Sequence, residues 1–450
     1  MTESSVNDHV LIEIRDGGGY VNVNKQTPSG NSMGDKLLAS QIRDKLSLLS
    51  PLPVPSCIFK IPSVLRSQVE NKDFGTPDLV SIGPFHHEKV NLQAMEKIKL
   101  RYLRSLLVRK PTPETTLENF VREIRSMEVD CGDCYDGEIE ASSDKFVEMM
   151  VVDACFIIEL FRKFSGEVPK EENDPVFCRS WMRTALINDL ILLSNQLPWK
   201  VLSRLFELTW ETGKHHLHDL ILEYFKGYTF GLSPQANGEI ENKHVLDFFR
   251  NCFLDSFETK MSEFKDLSSN SIPSAERLFN AGVRFAHGPR NSMLNIVFCN
   301  GILKIPPIRV QKYEVSFLRN LIAYEQCAPI TGVITSYVSL LGDLIREERD
   351  AQILLNRGII QGFSSEEGIA SLISLRADLQ ICSSPYTTLY ENVNRFTAVR
   401  WNVWRAILIN DYFKNPLDFV NLSVGVFFVT FLTLIQTIIS IASYHKPQSQ

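Results

Sequence analysis

A mainly α-helical globular body with a small antiparallel β-sheet or hairpin at about 283–308 and one C-terminal transmembrane helix is the architecture the sequence predicts. Three observations lead there. Apolar residues recur at spacings of three and four along most of the chain, an Asn-Gly hairpin signal at 300–301 interrupts that pattern, and residues 419–444 contain no Asp, Glu, Lys or Arg.

The terminal run justifies the membrane helix. At a rise of ~1.5 Å per residue it outreaches the ~30 Å hydrocarbon layer of a bilayer. The residues expected to span are Phe419, Val420, Leu422, Val424, Phe427, Phe428, Phe431, Leu434, Ile438, Ile441 and Tyr444. A buried core helix is the alternative, but such helices are usually shorter and polar on one face. Arg395, Arg400, Arg405 and Lys414 precede the run and only Lys446 follows it, so the positive-inside rule leaves the large N-terminal part in the cytosol and residues 445–450 as a short tail. The chain reads as tail-anchored. Thr430, Thr433, Thr437 and Ser440 form a weakly polar stripe. Its hydroxyls are expected to bond their own helix; packing against a second copy, giving a homo-oligomer, is the alternative.

Composition frames the rest. The 450 residues are 44% hydrophobic and 22% charged, the balance of a globular chain with one large core or two smaller ones. With a net charge of −6 and no Lys/Arg cluster beyond the mixed helix around 97–110, nucleic acid is not an expected partner. Nine cysteines, an odd number scattered through apolar runs, argue for free packed thiols rather than a disulfide framework. The first residues have early acids and no apolar signal-peptide core, and the one glycosylation sequon, at Asn421, falls inside the expected span. Both agree with a cytosolic body.

Along the chain, residues 1–35 are polar and Gly/Ser-rich, a flexible lead-in. The body is expected over 50–415. It opens with an extended stretch punctuated by Pro51, Pro53, Pro55, Pro62, Gly83 and Pro84. Leu92, Met95, Ile98, Tyr102 and Leu106 then mark a basic helix, and Thr112-Pro113-Glu114 opens another. Ser142-Ser143-Asp144 caps a helix that buries Phe146, Met150, Ala154, Ile157, Ile158 and Phe161. Further helices are expected over 181–193 and 199–208, with Asn195-Gln196-Leu197-Pro198 as the break between them, and over 246–264 and 273–280. Strands follow at 283–285, 294–298 and 302–305, with Asn300-Gly301 as the hairpin turn. Helices resume over 316–326, 331–346, 368–379 behind the capping box of Ser364 and Glu367, and 390–412.

Chemistry-bearing motifs are sparse. No GxxxxGK[ST], GxGxxG, HExxH or GxSxG occurs, so phosphate loop, dinucleotide site, zincin and nucleophile elbow lack support, and no catalytic, cofactor-binding or metal-ligating residue is assigned. Cys131 and Cys134 have CxxC spacing without a second pair; an acidic solvated loop is expected, its carboxylates raising the thiol pKa. His86 and His87 follow a turn and are expected to bond backbone rather than a ligand. His215 and His218 with Asp219 could share a helix face for a metal, but an exposed helix start is preferred. Asp153 and Glu159 in one apolar helix, and Glu325 and Gln326 in another, are either hidden acid–base groups or solvent-facing. The Asn195–Pro198 element is expected to bond free backbone groups at its helix break.

Several segments occurring in order give a resemblance. They are Ile61-Pro62 with Leu65-Arg66, Val80-Ser81-Ile82-Gly83-Pro84-Phe85-His86-His87, the helix beginning Met95-Glu96, DACFIIELF over 153–161, Asn195-Gln196-Leu197-Pro198, Ala281-Gly282-Val283-Arg284-Phe285, and NLIAYEQC over 320–327. Together with the C-terminal anchor, they resemble the plant family catalogued as domain of unknown function 247, over roughly residues 50–445. One departure is Ser194, where the family usually has Glu. The resemblance implies a membrane-associated plant protein without an established activity. Some members are linked to pollen–stigma self-incompatibility in grasses, which points to recognition rather than catalysis. The expected function is a non-catalytic interaction or signalling component with protein partners, a plasma-membrane address and no cofactor; a membrane-tethered enzyme of unrecognised type is the alternative.

Overall fold

The computed structural model describes residues 33–47, 56–63, 65, 75–229, 241–255, 257, 265–266, 271–289, 292–309, 312–362, 383–399 and 416–444. The chain divides into two units, 1–53 and 54–450. The described part of the first is helix α1 (Met33–Ser47), which follows the expected lead-in and shows Leu37, Leu38, Ile42 and Leu46 exposed.

In the second unit, residues 75–83 are described without a helix or strand, and the chain then turns helical. Its elements are α2 (Gln93–Arg109), α3 (Leu117–Ser126), α4 (Glu128–Gly132), α5 (Ser143–Ser165), α6 (Pro175–Cys178), α7 (Ser180–Leu190), α8 (Trp199–Glu207) and α9 (Leu217–Phe225). After α10 (Val245–Asp255) come β1 (Lys265–Asp266), α11 (Ala275–Asn280), β2 (Arg284–His287), β3 (Val297–Cys299), β4 (Ile302–Ile305) and β5 (Ile308–Arg309). The remainder is α12 (Lys312–Cys327), α13 (Val333–Leu344), α14 (Glu348–Asn356), β6 (Ile360–Gln361), β7 (Ser383–Ser384), α15 (Thr387–Ala398) and α16 (Pro416–Tyr444).

Helix α5 is the axis of the body. Ser142 caps it, its hydroxyl accepting the Lys145 N–H, and nearly every residue from Phe146 to Lys163 is buried. A helix apolar on all sides must be wrapped. Helices α2, α3, α4, α8 and α9 pack around it. Each of its buried Leu, Ile, Phe or Met side chains contributes about 1.5–3 kcal/mol. The spacing had marked one stripe; Val151, Val152, Cys155, Phe156 and Leu160 are buried as well. Four buried polar residues share this helix. Asp153 meets Lys99 at 2.6 Å, Glu159 meets Arg109 at 2.6 Å, Arg162 donates to the Thr209 carbonyl at 2.9 Å, and Lys163 meets Asp174 at 3.0 Å. None of them faces solvent.

The expected hairpin is present, and Asn300 and Gly301 both adopt positive φ, 52° and 74°, as a two-residue type I′ turn requires. A Cβ on Gly301 would meet the Phe396 ring at 2.7 Å, so the turn is also where α15 rests on the hairpin. The sheet is mixed: β3 and β4 are antiparallel, but β2 lies parallel to β4, because the helix-to-strand entry through Gly282 brings β2 in from the far edge of the hairpin. Two further strand pairs are two residues long, β1 with β7 and β5 with β6.

Some boundaries shift. Thr112-Pro113-Glu114 is a turn tied by Thr112 and Thr115 hydroxyls to the Leu208 carbonyl, and the helix starts behind the Thr116 cap. The Ser364 capping box and its helix, and the second half of the helix expected over 390–412, lie outside the described residues. Helix α16 starts at Pro416, where the missing N–H of proline costs nothing, and runs for 29 residues. Within it Thr430, Thr433 and Thr437 donate to carbonyls one turn back, at 2.8, 2.7 and 2.7 Å, which satisfies those hydroxyls inside their own helix.

Candidate functional site

The recognisable segments converge on one buried construction, a latch that holds residues 75–83. These residues are extended because Pro77, Gly83 and Pro84 oppose a helix, and no strand pairs with most of their length. Their backbone groups must be satisfied by something else. The Asp189 carboxylate accepts the N–H groups of Asp78, Leu79 and Val80 at 2.9, 2.8 and 2.8 Å. Asn195 accepts the Ile82 N–H at 2.8 Å and donates to the Val80 carbonyl at 3.1 Å. Asp153 accepts the Gly83 N–H at 2.8 Å, Lys99 donates to the Ser81 carbonyl at 2.5 Å, and Ser194 donates to the Gly75 carbonyl at 2.6 Å. Side chains take the place of a neighbouring strand.

The break between α7 and α8 works in both directions. Gln196 donates to the Leu190 and Leu192 carbonyls, at 2.7 and 3.0 Å, and accepts the Leu246 N–H at the start of α10 at 3.2 Å. It therefore closes one helix end and opens another. Gly83 presses against this break: its φ is 73°, and a Cβ there would lie 2.7 Å from the Gln196 carbonyl oxygen and 2.8 Å from the Tyr135 hydroxyl. His86 Nε2 lies 2.9 Å from Ser194 Oγ, so this histidine serves the latch, while the half-buried His87 lines a surface cavity. Ser194 supplies a hydroxyl that donates to a carbonyl, which an ionised carboxylate cannot do.

A second buried network ties α10 to α12 and α13. Glu325 accepts from Arg250 Nε at 2.9 Å, from the Ile334 and Thr335 N–H groups at 3.1 and 2.8 Å, and from the Thr335 hydroxyl at 2.8 Å. It neutralises a guanidinium and caps α13 from another helix. Tyr324 donates to Asp247 at 3.0 Å, and Asn320 accepts the Leu193 N–H at 3.0 Å, linking this network to the latch.

His244 is fully buried between them. Its Nδ1 accepts the Asp247 N–H at 3.1 Å, so the ring proton sits on Nε2 and donates to the Cys57 carbonyl at 3.0 Å. Burial pushes its pKa down to about 4. An unfolded histidine titrates at ~6.5, so the unfolded chain binds the extra proton between the two values. The stability this group contributes is complete above pH ~6.5 and is lost as pH falls toward 4, by about 3 kcal/mol in all. Asp189 runs the other way. Burial raises it to about 6 despite its three N–H donors, so its contribution is fullest below its unfolded value and is lost as pH rises through 6. The stability gap between the native chain and His244→Gln, followed by chemical denaturation in detergent, is expected to shrink as pH drops from 7 to 4. A gap that stays constant would show that His244 is not held neutral.

The sequence-flagged histidines and cysteines take other places. His216 is the N-cap of α9 in a capping box with Asp219, and His215 pairs with Glu167 at 2.8 Å. Among the described residues no cluster of three His, Cys, Asp or Glu side chains could hold a metal. Cys131 lies buried in α4 rather than in an open loop, and burial pushes its thiol up to about 12. Cys134 departs from the expected direction: a hydrogen bond from the Cys57 thiol outweighs burial and Asp133, and draws it down to about 7.

Two surface cavities accompany these networks. One of about 340 Å³ is lined by Lys60, Lys89, Lys145, His87, Glu138 and Glu140, among others, with the charges mixed. The other, of about 260 Å³, lies between α8 and α9 and is aromatic.

A helical body closed by a side-chain latch and followed by a long apolar helix defines the class of protein. The chain belongs to the family described as plant protein of unknown function, DUF247, whose model matches residues 58–431. Two UPF0481 proteins of Arabidopsis thaliana are similar to it. One is 28% identical over 437 residues, covering 90% of this chain and 91% of that relative; the other is 23% identical over 459 residues, covering 79% and 84%. No solved structure matches.

Proposed function

We propose that the chain is a membrane-held interaction or signalling component, with α16 as its single span and the helical body on the cytosolic side of the plasma membrane. The observation that supports this reading most is the window Val424–Ile441: 18 residues of mean hydropathy 2.2, none of it buried by the protein. Phe427, Phe428, Phe431, Leu434, Ile438 and Ile441 are all more than half exposed. Left in water, each such side chain forgoes about 1.5–3 kcal/mol, which a bilayer returns. The basic residues before the helix favour the cytosolic orientation, and its length suits a thick bilayer. The buried acids and histidine support contact-based work over catalysis, since Asp153, Asp189, His244 and Glu325 are all engaged in holding backbone or a buried cation.

The expected result is that alkaline carbonate leaves the full chain in the membrane pellet, whereas a chain ending at Asn415 appears in the supernatant. Proximity labelling should return a set of neighbouring proteins that disperses on the same truncation. Extraction of the full chain by carbonate would end the membrane reading, and an identical neighbour set from both forms would end the claim that the anchor sets its partners.

A further inference from the structure

The aromatic cavity between α8 and α9 is unrelated to the latch and does not depend on the membrane reading. Trp199, Ser203, Phe206 and Glu207 stand at i, i+4, i+7 and i+8, which puts them on one face of α8. Trp210, just past the end of that helix, and His216, Leu217 and His218 at the start of α9 complete the lining. Leu217 and Phe206 are buried and form the floor.

The two indoles are already fixed. Trp199 stacks on Phe248 with ring centroids 5.5 Å apart and planes 21° apart, and on His218 at 5.3 Å and 30°. His218 and Phe248 are themselves 5.3 Å apart, so Trp199, His218 and Phe248 form one ring cluster, of which Trp199 and His218 line the cavity. Trp210 stacks on His216 at 5.3 Å and 19°, and its Nε1 donates to the His215 carbonyl at 3.2 Å. A ligand entering here would not have to order the rings that receive it.

Charge narrows the choice of ligand. The lining contains one carboxylate, Glu207, and no Lys or Arg, whereas the mixed cavity elsewhere has three lysines. Glu207 is exposed and shares its charge with Arg204 at 3.0 Å. Burial lowers the His218 pKa, so that imidazole stays neutral at pH 7. The Arg162 guanidinium stands 4.9 Å from the Phe206 ring, which leaves the indoles as the rings available to a cation. Indole is the best of the aromatic faces for a cation, and a cage of such rings is suited to a permanently charged, weakly hydrated ammonium.

We infer that this cavity binds a quaternary ammonium group, a trimethylammonium of the choline type, against Trp199 and Trp210 with Glu207 at the rim. About 260 Å³ accommodates that head and a short polar tail. The group could be delivered free in solution or on a lipid headgroup, and the chemistry of recognition is the same.

The test uses the full chain in maltoside detergent, titrated with choline chloride and, separately, with its uncharged carbon isostere 3,3-dimethylbutan-1-ol, with binding read calorimetrically. Choline is expected to bind saturably and the isostere roughly tenfold more weakly or worse. Trp199→Ala and Trp210→Ala should each lower choline affinity by roughly tenfold, with the Phe replacements keeping part of it. If the alanine variants do not fold, Glu207→Lys lies outside the packed core; it should weaken choline and leave the isostere unchanged. In nanodiscs, added choline that binds in phosphatidylglycerol but not in phosphatidylcholine supports the inference with a lipid as the source. Equal binding in both lipids supports it with a free ligand. The inference is overturned if choline and isostere bind equally, if the folded native chain binds no choline, or if the folded variants bind as the native chain does.

Discussion

Replacing Glu325 with alanine is expected to cost about 3–5 kcal/mol of folding stability, enough to remove much of what holds a typical domain folded. The carboxylate is fully buried and serves three purposes at once. It neutralises Arg250, whose side chain is only 6% exposed, and it accepts both backbone donors and the hydroxyl at the first turn of α13. Alanine would leave a buried guanidinium without its counter-charge and two helix-start N–H groups without acceptors. Glu325→Gln retains one acceptor oxygen and is expected to cost less. Chemical denaturation of the single variants and of the double variant Arg250→Met/Glu325→Ala measures the coupling: the double variant is expected to lose less than the two single losses added together, and a loss equal to their full sum would show that the pair does not interact.

Lys99→Met is the second large effect, again about 3–5 kcal/mol. Lys99 Nζ is fully buried, 2.6 Å from Asp153, 2.7 Å from Glu96 and 2.5 Å from the Ser81 carbonyl oxygen. Burial by itself would lower this ammonium, yet the two carboxylates raise it, so it remains charged. Methionine would leave the Asp153 carboxylate buried opposite an apolar chain, a state relieved only by taking up a proton. Protonation then accompanies folding of the variant, which puts its folded-state Asp153 above the unfolded value. The variant should recover stability relative to the native chain as pH falls, and the gap measured at pH 7 should narrow toward pH 4. A gap that widens on acidification would contradict the ion pair.

Local signals in the sequence were sufficient for local structure. Leu92 through Leu106 marked α2, Ser142 marked the cap of α5, and Asn300-Gly301 marked the hairpin, because each depends on residues within a turn or two of one another. The parallel seating of β2 was not legible, since it depends on how the segment after α11 approaches the hairpin rather than on the pattern within the strand. The wrapping of α5 was half legible: Asp153 and Glu159 could be read as hidden or as solvent-facing, because the partners that bury them, Lys99 and Arg109, lie on another helix earlier in the chain. Asn195 and Gln196 could be read as backbone-satisfying groups from the proline beside them, although the segment they secure could not. Asp189 gave no signal; nothing within a helical turn of a lone aspartate shows that three amides more than a hundred residues upstream will settle on it. The aromatic cavity was equally hidden, because Trp199 and Trp210 acquire their neighbours only when α9 and α10 close on α8.

The latch sets an order of events at the ribosome. Val80 emerges long before Asn195, 115 residues later, and at roughly 5–20 residues per second that interval is on the order of ten seconds. Until Asp153, Asp189 and Asn195 have emerged in turn, the nascent segment lacks the side chains that accept its amides, so those amides remain with water. Closing so long a loop is entropically unfavourable until the helices carrying Asp153 and Asp189, and the break that carries Asn195, stand ready. Residues 75–83 are therefore translated early and secured late, and a ribosome stalled before Asp189 would hold them without the carboxylate that takes three of their amides.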